Sequence, residues 1–173
     1  MVGVVPNAAY RHFADRDELL AAVGTAAMGE LAARMAAGTA RVRGRYGDAA
    51  AARRRLRAIG RAYLEFAREE PGLFAVAFAL PHQHAYGAQR DNVQGQHPLP
   101  LDQLRAVLDE LAAAGVVTPR RRPGIEYPIW SMVHGLAVLT GQGPLRDTPE
   151  AARRHIEAVT SAFIDAGLAR PGT

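Results

Sequence analysis

The amino-acid sequence predicts an all-α protein, and three observations support that fold class. Apolar residues recur at the three- and four-residue spacing of amphipathic helices over most of the 173 residues. No stretch alternates apolar and polar residues for long enough to form a β-strand. Glycine, proline and helix-capping residues separate the helical segments. Since 49% of the residues are apolar and 22% are charged, the chain can bury a hydrophobic core.

The predicted helices of the N-terminal half follow from their caps and apolar spacing. A short helical segment is expected at residues 8–13. A long helix is expected at residues 16–37, because Asp15 and Glu18 form a start that resembles a capping box. Asp48 is placed to cap the next helix, and Pro71-Gly72 separates that helix from the residues that follow. Its apolar stripe consists of Leu56, Ile59, Tyr63 and Phe66.

The C-terminal half contains four further predicted helices and one long loop. The apolar run at 73–80 fits a buried helix, and the Gly-, Pro- and His-bearing stretch 81–98 reads as a loop. Residues 101–114 form an amphipathic pattern that ends at a glycine. Residues 126–140 are apolar nearly all round, so we expect that helix to be buried on most faces. The last helix is expected at 149–168, with proline in its first position.

Composition excludes several classes of protein. The chain has no cysteine, which excludes disulfides, thiolate metal ligands and a thiol nucleophile. No uninterrupted apolar run reaches the roughly 18 residues that span a bilayer, and the N-terminus lacks the regions of a signal peptide. A soluble cytoplasmic protein without membrane contact is therefore expected.

The charge distribution points toward the N-terminal part of the chain. All 21 basic residues are arginine, a bias that GC-rich codons explain without selection on function. Residues 1–70 contain 12 arginines and 8 acidic residues, whereas residues 71–173 contain nine of each. The net charge of +4 therefore lies in the first part, where contact with a polyanion is most favoured.

The sequence contains no pattern that predicts catalysis. It has no glycine-rich phosphate loop and no helical metal-binding motif. His82 and His84 stand in a Gly- and Pro-bearing stretch that is better read as a solvated loop than as a metal site. Ser131 and His134 share a helix face but have no evident acidic partner, so packing explains them better. We expect no enzyme activity, no catalytic residue, no metal and no cofactor.

Residues 3–20 carry the most informative pattern in the chain. Its elements are Gly3-Val4, then Tyr10-x-His12-Phe13, then Arg16 and Glu18-Leu19-Leu20. This pattern resembles the end of the helix-turn-helix of the TetR family of transcriptional regulators. The resemblance implies a partial DNA-binding domain at 1–37, a remnant of the helix-turn-helix domain. It also implies a helical-bundle domain for effector binding and dimerisation at 38–173.

The same segment offers side chains to DNA. A short helix that starts at Pro6 presents polar and small side chains to base edges and further donors to phosphates. The residues expected at DNA are Pro6, Asn7, Ala8, Tyr10, Arg11, His12 and Arg16. The segment departs from the family at Val5, which cannot cap the helix as the family's Ser or Thr does, and at Ala9, where the family has Leu. An ordinary amphipathic helix entry is the alternative reading.

A second resemblance lies near the other end of the chain. Trp130-x-x-x-His134-Gly135 resembles the WHG-type C-terminal domain found in a subset of TetR regulators. In that reading these side chains line an effector pocket for a small apolar or aromatic molecule. The expected pocket residues are Tyr63, Phe74, Phe78, Trp130, Met132 and His134. The alternative is that His134 is a hydrogen-bonded histidine of the hydrophobic core.

The family resemblance implies a homodimeric repressor that a small effector releases from a double-stranded DNA operator. The last two helices would pair with their mates, with Ile156, Val159 and Phe163 in the interface, although an internal core would suit these residues too. In the family two helices, roughly 25–40 residues, precede the turn with which this sequence begins, and operator binding depends on them. The alternative function is a helical ligand-binding and dimerisation module that does not bind DNA in this form.

Overall fold

The computed structural model describes residue 13, residues 15–79 and residues 97–169, and these residues form helices joined by short connectors. The all-α prediction is confirmed for them, since no described residue belongs to a β-strand. The helices are α1 (Arg16–Ala40), α2 (Ala49–Glu69), α3 (Pro71–Ala79), α4 (Pro100–Ala113), α5 (Glu126–Gly141) and α6 (Glu150–Ala169). The short helix expected at 8–13 and most of the loop expected at 81–98 lie outside the described residues.

Aspartate side chains begin the two longest helices, as the sequence predicts. The Asp15 carboxylate accepts a hydrogen bond from the backbone N–H of Glu18 at 2.8 Å, and α1 follows at once. The Asp48 carboxylate accepts from the N–H groups of Ala50 and Ala51 at the start of α2. Each aspartate thereby satisfies N–H groups that have no partner within the helix itself.

The core lies where α1, α2 and α4 pack together and is closed by α3 and α5. Its fully buried side chains include Leu31 and Met35 of α1, Phe66 of α2, and Leu108 and Leu111 of α4. Helix α1 packs against α2 at Gly38, where a Cβ atom would lie 3.4 Å from the carbonyl oxygen of Ala58. The long helix α1 is thus part of the same core as the helices that follow it.

By length and composition, α1 meets the criterion for a helix that crosses a membrane. Its apolar residues are accounted for by packing instead, because Leu31, Ala32 and Met35 are buried in the hydrophobic core. A helix buried by its neighbours passes the same composition test as a membrane span.

Buried ion pairs connect neighbouring helices. Arg55 of α2 donates to Glu110 of α4 over 2.5 Å, and the Glu110 side chain is only 6% exposed. Glu126, at the start of α5, accepts from Arg105 and from Arg122. Burial alone would raise the pKa of Glu126, but hydrogen bonds from its own backbone N–H and from both arginines lower it below its ordinary value.

Helix α5 is less buried than the sequence predicts, and α6 packs on the core through a face that the sequence did not single out. Helix α5 was expected to be buried on most faces, yet its buried residues are Glu126, Ile129, Leu136 and Ala137. Helix α6 turns Ile164 and Leu168 toward the core and leaves Val159 and Phe163, which are expected in the dimer interface, exposed. In an alanine-rich helix, apolar residues recur at helical spacing on more than one face. Spacing alone therefore does not tell which face packs against the rest of the chain.

Candidate effector groove and outer apolar face

An aromatic cluster joins three helices around Tyr63 of α2. The Tyr63 ring lies 5.6 Å from Phe74 and 5.1 Å from Trp130, centroid to centroid, and meets both edge-on. Phe78 packs against the imidazole of His134 at 4.8 Å. Because α3 follows α2 after a single residue, its two phenylalanines return onto the face of α2 that carries Tyr63. Edge-to-face contacts of this kind add to the stability gained by burial.

A hydrogen bond stands in the middle of the aromatic cluster. The Tyr63 hydroxyl lies 2.8 Å from Nδ1 of His134. Burial lowers the pKa of His134 below its ordinary value, so the imidazole is neutral at neutral pH. A neutral imidazole has one ring nitrogen that accepts a hydrogen bond, and the tyrosine hydroxyl is a suitable donor.

An open groove lies beside this cluster, between α2, α5 and α6. We name it the effector groove; its volume is about 570 Å³, within the range of small-molecule sites. Tyr63 and Trp130 form the wall that it shares with the aromatic cluster, and Met35 connects it to α1. Its remaining apolar lining comes from Leu56, Ile59, Leu64, Leu104, Ile129, Val133 and Ile164.

The structure brings together five of the six residues expected at the pocket as the aromatic cluster, and two of them, Tyr63 and Trp130, also line the groove. Phe74, Phe78 and His134 belong to the aromatic cluster and do not line the groove. Met132 is half-buried against the core and does not line the groove either. The groove residues on α6 had no sequence signal, because their role depends on how α6 is placed against α2.

Charged side chains form the rim of the effector groove. Five arginines and four acidic residues line it, and several of them pair with each other. The Arg57 guanidinium donates to Asp165 at 2.5 and 3.0 Å, which connects α2 to α6. Arg153 and Arg154 both contact the carboxylate of Glu150 within α6.

Exposed apolar side chains lie on both α5 and α6. Val159 and Phe163 of α6 are 53% and 69% exposed, and Ile156 is half-buried. Helix α5 adds Tyr127, Val138 and Leu139, which are also exposed. Among the described residues, none covers Val159 or Phe163. We call this surface the outer apolar face.

The residues expected at DNA lie mostly outside the described part of the chain. Pro6, Asn7, Ala8, Tyr10, Arg11 and His12 are not described. Arg16 is described, and its side chain is exposed at the first residue of α1. In the same part of the chain, residues 13, 15–79 and 97–169, no group of His, Asp or Glu residues is arranged to hold a metal ion.

The arrangement defines a helical domain with a ligand-sized groove and an uncovered apolar face. Residues 56–168 match the family described as "Tetracyclin repressor-like, C-terminal domain". The chain therefore belongs to this family, and the predicted resemblance to TetR regulators is confirmed. The match includes α3 to α6 and most of α2, and so contains the effector groove except for its α1 residue.

One solved structure similar to this chain is a protein with unknown function from Rhodococcus sp. RHA1. The two chains share 27% sequence identity and superpose with a TM-score of 0.72. The alignment covers 97% of this chain and 80% of that one. Comparison with curated proteins gives no significant match.

Proposed function

We propose that this protein is a TetR-type transcriptional regulator: a cytoplasmic homodimer that binds a DNA operator as a repressor and leaves it when a small molecule occupies the effector groove. The observation that carries the proposal is the family match over residues 56–168. That match spans both features that a regulator of this kind requires, a place for an effector and a surface for a second copy.

The DNA-binding part of the proposal is based on the N-terminal pattern. The recognition helix that starts at Pro6 presents Asn7, Ala8 and Arg11 to base edges. The side chains of Tyr10, His12 and Arg16 donate to phosphates. Two such helices in one dimer match a two-fold symmetric operator. Domain 1–37 therefore reads DNA, and domain 38–173 binds the effector and the second copy.

The outer apolar face supports dimerisation. Exposed apolar residues mark interaction sites on a soluble protein when they form a patch, and here they lie on two helices that contact each other. Val159 and Phe163 on α6 and Tyr127 and Val138 on α5 would become buried if the two helices packed against the same pair of a second copy. A two-fold interface of this kind uses the same surface on both copies.

The effector groove supports regulation through α1. Met35 of α1 is fully buried behind the wall of the groove, so a ligand that displaces this wall acts on the helix that begins at Arg16 through packing. A ligand that favours one position of α1 shifts the population between DNA-competent and incompetent dimers. This effect requires only that the ligand bind the two states with different affinity.

Selection of DNA from a random pool by the purified protein, in a form that includes the two helices preceding the turn in this family, tests the proposal. We expect enrichment of a two-fold symmetric sequence, with an affinity that falls steeply as salt rises. Replacing Arg11 by Ala should weaken binding and relax the sequence preference at one position of each half-site. The matched control Arg120→Ala removes an exposed arginine of the connector before α5 and should change little. Failure to enrich any sequence would refute operator binding and favour the ligand-binding and dimerisation module.

A further inference from the structure

The effector groove meets a second, strongly basic groove along one ridge of α2. This second groove, which we call the arginine groove, lies between α1 and α2 and has a volume of about 590 Å³. It is lined by Arg34, Arg41, Arg54, Arg57 and Arg61, with Glu65 as the acidic lining residue among those described. Arg57, Arg61 and Glu65 line both grooves and form the ridge between them.

Arg61 stands out on this ridge because nothing in the described residues neutralises it. Arg57 is engaged by Asp165, and Arg34 by Glu30 and Glu69 at 2.9 and 2.6 Å. Within residues 15–79 and 97–169, by contrast, no carboxylate forms an ion pair with Arg61. Its guanidinium is exposed at the junction of a groove with an apolar lining and a groove with five arginines.

The acidic groups near Arg61 leave the ridge basic toward α1. Glu65, one turn further along α2, is the acidic residue of the ridge. The α6 carboxylates line the effector groove, where Asp165 pairs with Arg57 and Glu150 pairs with Arg153 and Arg154. The third of them, Glu157, forms no ion pair with a described residue and faces the effector groove rather than α1. Arg41 forms no ion pair with a described residue, and Arg54 donates to the carbonyl oxygen of Arg43. An anionic group at Arg61 therefore meets further positive charge on the α1 side.

From this juxtaposition we infer that the effector is an amphipathic anion. Its apolar body lies in the effector groove against Trp130, and its carboxylate or phosphate binds Arg61 on the ridge toward the arginine groove. A guanidinium donates two parallel hydrogen bonds to either group. The inference rests on the proposed function, because it names the class of molecule that occupies the effector groove.

Trp130 provides a direct measurement of binding. It is the single tryptophan of the chain and lines the effector groove, so its fluorescence reports on occupancy. The probes are decanoate, decyl phosphate and 1-decanol, which share one apolar chain and differ in the head group. We expect decanoate or decyl phosphate to bind at least tenfold more tightly than 1-decanol. Preference between the two anions distinguishes a carboxylate effector from a phosphate effector.

The variant Arg61→Gln tests the assigned contact. It should weaken binding of the preferred anion about tenfold and leave 1-decanol unchanged. Arg61 is exposed, so its replacement should not affect folding. Arg120→Gln removes an arginine that lines neither groove and should leave all three affinities unchanged.

Three results would overturn the inference: equal affinities for 1-decanol and both anions, no effect of Arg61→Gln on the anions, or no change in Trp130 fluorescence with any probe. The measurement uses the protein without DNA. The ligand measurement can therefore give a negative result although the protein binds an operator, and a positive result although it does not.

Discussion

Replacement of Phe163 by Ala should weaken dimerisation without destabilising the single chain. Phe163 is 69% exposed, and a buried phenylalanine covers about 200 Å², so roughly 140 Å² per copy remain to be covered by a partner. At about 25 cal/mol per Å² this area contributes about 3 kcal/mol, of which alanine would retain roughly a third. The loss is about 2 kcal/mol per copy and about 4 kcal/mol per dimer, which raises the dissociation constant more than 100-fold, since about 1.4 kcal/mol is a factor of ten.

Sedimentation velocity over a dilution series measures this dissociation constant directly. The matched control is Tyr46→Ala, since Tyr46 is similarly exposed at 72% but lies in the connector between α1 and α2. The control should dimerise like the parent protein. Urea unfolding of the two variants under monomeric conditions should differ little from that of the parent, because both side chains are exposed in the single chain. If Phe163→Ala dimerises as tightly as the parent, the outer apolar face is not the interface.

Three further substitutions test the interior. Arg55→Met should lower the free energy of unfolding by about 3 kcal/mol, because it leaves the buried carboxylate of Glu110 without its ion pair. Glu110→Gln removes the buried charge instead and should lower the free energy of unfolding by less. Urea unfolding of both variants shows which of the two is less stable. Tyr63→Phe keeps the ring contacts but removes the hydroxyl that faces Nδ1 of His134, and should cost about 1 kcal/mol in the same assay; an unchanged midpoint would mean that this hydrogen bond adds nothing. Burial lowers the pKa of His134 in the folded protein, so the unfolded chain takes up a proton on this histidine first as the pH falls. The free energy of unfolding should therefore decline below about pH 6.5. This part of the decline should disappear in His134→Asn, and parallel pH profiles for variant and parent would contradict the assignment.

The positions of the helices were largely predictable because their signals are local. Asp15 and Asp48 cap the helices that follow them, and proline and glycine separate most of the others. The long helix continues to Ala40, three residues beyond the expected end at 37, and Gly38 lies inside it where α1 packs against Ala58 of α2. There the packing of two helices outweighs the weak helix propensity of glycine.

The location of the groove was not predictable from the sequence because it depends on helix packing. The aromatic residues Tyr63, Phe74 and Phe78 suggested a pocket, and they do meet, but their rings fill the space between them. The groove lies outside this aromatic cluster, where α6 covers the apolar face of α2 incompletely. In the sequence Arg61 is one arginine among 21. The structure distinguishes it, because it lies at the junction of two grooves and forms no ion pair with a described residue.

A hydroxyl-radical footprint on the selected DNA tests the central claim, that this protein is a dimeric reader of a specific operator. We expect two protected half-sites related by two-fold symmetry, with centres separated by about 10 base pairs or a multiple of that spacing, and loss of both half-sites together when Phe163→Ala dissociates the dimer. Uniform weak protection along any DNA, or a single asymmetric site that survives in Phe163→Ala, would contradict the claim.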